Sequence, residues 1–314
     1  MPAQRIVSLL PSATEIVFAL GLGDQVVGVS HECDFPPAAR SKAVVIRSRL
    51  PTDASPPEID RLVREFSARG ESVYAVDAEA LRRLAPELII TQDLCYVCAA
   101  TPEDLSAALA TINPRPELLC LNPLDLGDVW RDILWVGEET FRGHEAERLL
   151  EFIGEKLAAI EGEIGQTVCR PRAAFLEWLQ PIYVGGHWVP EMIELAGGLD
   201  VFGKPRSPSF RVSLEEVIAA QPEILLVAPC GYSAEQARHE YHSLSLPREW
   251  RDIPAVRNKQ VFYLDANRYF SRPGPRLVTG VEILAKLFHP GISVSLEAQQ
   301  ATEPLLGDAH AATA

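Results

Sequence analysis

Short apolar runs rich in Val, Ile and Leu recur along the first part of the chain at 5–9, 26–29, 43–46, 72–76, 88–91 and 118–121. Amphipathic stretches such as 14–20 and 56–69 separate them. Such runs are too short for helices and too continuously apolar for a sheet with one wet face, so they read as strands of a parallel sheet covered by helices on both sides. The pattern breaks at 140–166, where Leu149, Phe152, Ile153, Leu157 and Ile160 lie among charged residues at helical spacing. One helix of 20 or so residues, about 30 Å at 1.5 Å per residue, is expected there. Alternation then resumes, with strands expected at 173–176, 182–184, 224–228 and 260–264 and helices at 190–196, 213–220 and 275–288. Two internal echoes accompany it: LRRLAPELII at 81–90 matches VIAAQPEILL at 217–226, and ALGLGDQVVG at 19–28 matches LAGGLDVFGK at 195–204. The expected fold is α/β, two Rossmann-like lobes with parallel sheets joined by one long backbone helix. Its parts are an N-terminal lobe at 1–139, a linking helix at 140–166, a C-terminal lobe at 167–291 and a disordered tail at 292–314, where Ala and small polar residues dominate.

Composition excludes some function classes. A formal charge of -14, with no run of five Lys or Arg, opposes the phosphate neutralisation that nucleic-acid binding requires. No segment offers about 18 consecutive apolar residues, so no membrane span is expected. The opening MPAQRIVSLLPSATE carries neither a basic segment nor an apolar core of the export type, and a cytoplasmic location is expected from it. In such a reducing compartment the six cysteines would be thiols or metal ligands.

In a parallel sheet, ligands gather outside the carboxyl ends of the strands, where loops and helix N-termini converge. The residues that follow the expected strands are therefore the candidate site. In the first half these are Ser12, then His31, Glu32 and Asp34, then Gln92 and Asp93; in the second, Trp178, then His187 and Trp188, then Cys230, and finally Asn267, Tyr269 and Arg272. The indoles suit stacking on a planar ligand, the acids suit hydrogen bonds to amides, and Arg272 suits a carboxylate or phosphate. His31, Cys33, Cys95 and Cys98 form a further candidate set, three sulfurs and a nitrogen, of the kind that holds zinc or an iron–sulfur centre. A single Cys-x-x-Cys leaves metal ligation, a reversible disulfide and plain thiols all open. No nucleophile elbow, phosphate loop or His-Glu-x-x-His run is present, and Ser12 with Glu15 reads as a helix capping box. Binding without catalysis is expected.

Four stretches, RIVSLLPSATEIVFALGLGDQVVGVSHECDFP at 5–36, PELIITQDLC at 86–95, GHWVPEMIELAGG at 186–198 and QPEILLVAPCG at 221–231, resemble the cobalamin-binding branch of the helical-backbone (class III) substrate-binding proteins of ABC importers. The resemblance covers roughly residues 5–290. It implies two lobes bridged by a rigid helix and a cleft between them for a cobalamin-like corrinoid or a similar metal chelate such as haem or a ferric siderophore. The partner implied is the small-molecule ligand together with an ABC importer or a corrinoid-using enzyme; the oligomeric state stays open. The second reading is a cytoplasmic metalloprotein or redox enzyme binding zinc or an iron–sulfur centre through Cys33, Cys95 and Cys98.

Overall fold

The computed structural model describes residues 3–51, 54–92, 102–110, 112–165 and 169–311; Asp93, Cys95 and Cys98 lie outside them. The chain divides into two compact units, Met1–Pro123 with Gly127–Glu151, and Leu124–Leu126 with Phe152–Ala314.

The first unit runs β1 (Ile6–Ser8), α1 (Pro11–Ala19), β2 (Val26–Ser30), β3 (Ala43–Ser48), α2 (Pro56–Ala68), β4 (Tyr74–Val76), α3 (Ala78–Leu84), β5 (Leu88–Gln92), α4 (Pro102–Leu109), β6 (Glu117–Leu121) and α5 (Leu126–Glu139). Its strands lie in the order β4-β3-β2-β1-β5-β6, parallel except for β4, which pairs antiparallel with β3. Every residue of β1 and β5 is buried, as the unbroken apolar runs require for central strands covered on both faces. Because β2 lies on one side of β1 and β5 on the other, the chain reverses direction across the sheet at the β1/β5 pair, and the crevice beyond their carboxyl ends is the expected ligand position. The capping box foreseen at Ser12 does not form. Pro11 takes the first helical position and the extended Leu10 is the N-cap, which moves Ser12 inside the first turn, where it is buried.

Helix α6 (Gly143–Ile164) spans 22 residues, about 33 Å, and runs from one unit into the other. The second unit continues with β7 (Arg172–Leu179), β8 (Ile182–Val184), α7 (Val189–Leu195), β9 (Leu199–Asp200), β10 (Phe210–Arg211), α8 (Leu214–Ala220), β11 (Ile224–Val227), α9 (Ala234–Ser243), α10 (Pro254–Arg257), β12 (Val261–Tyr263), α11 (Ala266–Tyr269), α12 (Leu277–Phe288) and α13 (Leu296–Ala311). Capping boxes at Ser213/Glu216 and Ser233/Gln236 start α8 and α9.

This second sheet, β10-β8-β7-β11-β12 with β9 beside β7, is mixed where a parallel sheet was expected. Only Gln180 and Pro181 separate β7 from β8, too few for a crossover, so the two strands pair antiparallel. The disordered tail is also corrected. Residues 296–311 form α13, which packs on α12; Ala298 and Thr302 are buried on it, and the Thr302 hydroxyl donates back to the Ala298 carbonyl at 3.0 Å.

Candidate functional site

In the first unit, the chain leaving β2 turns at once, with the Cys33 amide donating to the Ser30 carbonyl at 3.1 Å. His31 and Glu32 are exposed, the imidazole Nε2 standing 3.9 Å from the Glu32 carboxylate and its ring 6.4 Å from that of Tyr74. Partial burial holds the imidazole below its ordinary value, against a hydrogen bond at Ile46, and the positive charge of Arg47 acts in the same direction as burial. Asp34 lies 3.9 Å from the Arg40 guanidinium. Gln92 is buried at the end of β5, beside the switch point, and Ser12 is buried across it at the head of α1.

Cys33 points the other way. It is 4% exposed, its Sγ accepts from the Thr14 hydroxyl at 3.1 Å, and it lies 3.9 Å from the Ser8 carbonyl. A thiol held that way among core groups is a packing residue. Cys95 and Cys98 lie outside the described residues, so the set of His31, Cys33, Cys95 and Cys98, and the metalloprotein reading built on it, draw no support from the described structure. Among the described residues, no three His, Cys, Asp or Glu side chains gather as a metal site would need.

In the second unit three loops at the carboxyl edge are joined by backbone hydrogen bonds. The Cys230 amide donates to the Glu177 carbonyl at 2.9 Å, and the Asn267 amide donates to the Tyr232 carbonyl at 3.2 Å. These tie the ends of β7, β11 and β12 into one ledge. Over it, the half-buried rings of Trp178 and Tyr232 meet edge to face, centroids 5.8 Å apart at 70°, and the Trp178 indole N–H donates to the Gln180 carbonyl at 3.1 Å. Trp178, Cys230 and Asn267 were singled out in the sequence; Glu177, near the end of β7, and Tyr232, after β11, stand beside them at the strand ends but were not chosen as candidates.

Other candidates sit elsewhere. Since β8 runs antiparallel to β7, the loop after it does not leave by the carboxyl edge of the parallel strands. Trp188 is 6% exposed and spends its indole N–H on the Phe270 carbonyl at 2.8 Å, so it is a core indole and not a stacking platform. Tyr269 is buried and donates to Glu297 on α13 at 3.2 Å; Arg272 is also buried. His187 is half-buried with φ at 52° and donates its amide to the Ser207 carbonyl at 2.7 Å.

Burial lowers the His187 imidazole from 6.5. Since the unfolded chain would bind its proton more readily, the stability that comes from keeping the ring neutral is complete above about pH 6.5 and drains away as pH falls through the lower folded value. Thermal unfolding midpoints should therefore decline from about pH 7 to about pH 5, and more shallowly in His187→Asn, where Asn tolerates the positive φ. Equal slopes for the two proteins would remove His187 from the account.

A sequence model described as periplasmic binding protein matches residues 6–268. The vitamin B12-binding protein of Vibrio cholerae is 26% identical over 308 residues, covering 90% of this chain and 87% of its own. The vitamin B12-binding protein of Vibrio parahaemolyticus is 24% identical over 293 residues, covering 89% and 87%. Among solved structures, the periplasmic vitamin B12-binding protein of Vibrio cholerae superposes with a TM-score of 0.67 at 24% identity, covering 95% of this chain and 99% of the other. A periplasmic heme-binding protein of Pseudomonas aeruginosa does so with a TM-score of 0.70 at 20% identity, covering 94% and 96%. Superpositions at such identities speak to the fold alone. The cytoplasmic location is overturned by these matches, since the solved structures that this chain resembles are described as periplasmic. Matched by the family model over most of its length, the chain belongs to the periplasmic binding protein family, whose members bind solutes and do not transform them.

Proposed function

We propose that the protein binds a corrinoid or a closely related metal macrocycle and presents it to an ABC importer. The observation that carries this reading is the ledge of the second unit, where three strand ends are cross-bonded and an indole and a phenol stand edge to face above them. A pair of aromatic rings on a rigid base suits a large, flat, partly apolar ligand with polar side arms, because stacking needs a fixed ring while the arms need nearby amides and carbonyls. Similarity to vitamin B12-binding proteins along 90% of the chain favours the corrinoid among such macrocycles. Cys230 and Asn267 on the ledge are assigned to the polar arms. For the first unit, the assignment is that Ser12, His31, Glu32, Asp34 and Gln92 form its own ligand-facing edge.

Calorimetric titration of the full chain with cyanocobalamin, haemin and a ferric hydroxamate tests the reading. The corrinoid should bind at about micromolar or tighter, near -8 kcal/mol, and ahead of the other two. Trp178→Ala should weaken it about tenfold, the loss of one stacking partner, with no change in the unfolding midpoint beyond a few degrees. Failure of the corrinoid to bind, or unchanged affinity in Trp178→Ala, would overturn the ligand or the ledge respectively.

A further inference from the structure

A cavity of about 380 Å³ lies beneath α13, walled by α11, α12 and the end of β12. That volume is in the range of small-molecule sites. None of the ledge residues Trp178, Cys230, Tyr232 and Asn267 lines it. Its walls combine three aromatic rings, Tyr263, Tyr269 and Phe270, with two carboxylates, Asp265 and Glu297, from different elements. One positive side chain, Arg268, also lines the cavity; its Nε lies 3.4 Å from Asp265 and it is largely solvent-facing. The Tyr269 hydroxyl donates to Glu297, so ring and acid are held in a fixed relation.

Aromatic faces beside carboxylates attract organic cations, since the ring quadrupole and the acid act on the same charge while the rings accept its alkyl groups. A hydrated inorganic cation would gain nothing from the rings, and an anion would meet two acids. Burial pushes the Asp265 carboxyl up, while the Arg268 amide and the charges of Arg268, Arg276 and Arg272 act the other way; Asp265 is thus already engaged, and Glu297 is the acid that faces an incoming cation. We propose that this cavity is a second small-molecule site, separate from the macrocycle ledge, that takes a compact organic ammonium ion between Glu297 and the rings of Tyr263, Tyr269 and Phe270.

The site touches the rest of the unit at one element. Residues of α11 and its C-terminal neighbour supply Tyr269 and Phe270 to the cavity, while Asn267 of the same helix bonds to the ledge and the Phe270 carbonyl holds Trp188. An ammonium ion bound under α13 therefore sits one short helix away from the ledge.

The test is calorimetric titration of the full chain with choline and with its neutral isostere 3,3-dimethylbutanol. Choline should bind saturably in the millimolar range or tighter, and the alcohol should not. Glu297→Gln and, independently, Tyr269→Phe should each weaken choline about fivefold or more, whereas Trp178→Ala should leave it unchanged. The proposal is overturned by an absence of saturable choline binding up to about 10 mM, by equal binding of the alcohol, or by loss of choline binding in Trp178→Ala.

Discussion

Replacing Gly186 with Ala is expected to destabilise the second unit by about 3 kcal/mol and to lower its unfolding midpoint by roughly 6–12 °C. A Cβ at this position would lie 2.7 Å from the Ser207 carbonyl oxygen and closer still to the backbone of Pro208 and Ser209. Those atoms are main chain in a segment that is itself bonded to the His187 amide, so no side-chain rotation relieves the clash. The strand β10 that follows is only two residues long and pairs with β8, and a shift of 207–209 drags that pairing with it. Gly154→Ala is the matched control. It lies inside α6 with nothing within 4 Å of an added methyl, and the change should stabilise by about 0.5–1 kcal/mol because alanine loses less backbone entropy in a helix. Differential scanning calorimetry of both variants decides. A neutral Gly186→Ala would mean that the 207–209 segment is free to move aside.

The architecture was legible because central parallel strands must be apolar on both faces, which leaves a mark in sequence that survives without any knowledge of contacts. The runs around Ile6 and Leu88 carry that mark, and they became the two strands at the switch point. What the sequence could not carry was direction and facing. A strand of three residues, β8, has no pattern that distinguishes antiparallel from parallel pairing; the two-residue connection before it did hold that information. Trp178 and Trp188 look alike in sequence, yet one keeps its ring on the ledge while the other spends its N–H on a carbonyl in the core. Cys33 carries a related lesson: a thiol two residues from His31 suggests chemistry, but the turn closed by the Cys33 amide on the Ser30 carbonyl takes the sulfur inward to Thr14 and Ser8, and a turn of that kind leaves no apolar pattern to read. Helix α13 escaped notice because Ala298 and Thr302, buried on it, are small, and small residues give weak apolar periodicity.

The largest single loss of stability is expected from Lys156→Met. Lys156 on α6 is 19% exposed at its side chain and donates to Glu282 on α12, 6% exposed, at 2.8 Å. The same carboxylate accepts from both the amide and the hydroxyl of Ser295, each at 2.8 Å, just ahead of α13. One acid therefore joins the long helix, α12 and the start of α13. Removing the lysine charge leaves that acid buried with only neutral donors, and an uncompensated buried charge costs about 3–5 kcal/mol. Removing both charges, in Lys156→Met with Glu282→Leu, should recover part of the loss, since apolar side chains need no partner while Ser295 still loses its acceptor. A double-mutant cycle by denaturant unfolding should then give a coupling of about 2 kcal/mol. Amide exchange in Lys156→Met should accelerate first around 295–302, where the carboxylate had held the chain. If Lys156→Met costs less than about 1 kcal/mol, the pair behaves as an exposed salt bridge and the three helices are held by apolar packing alone.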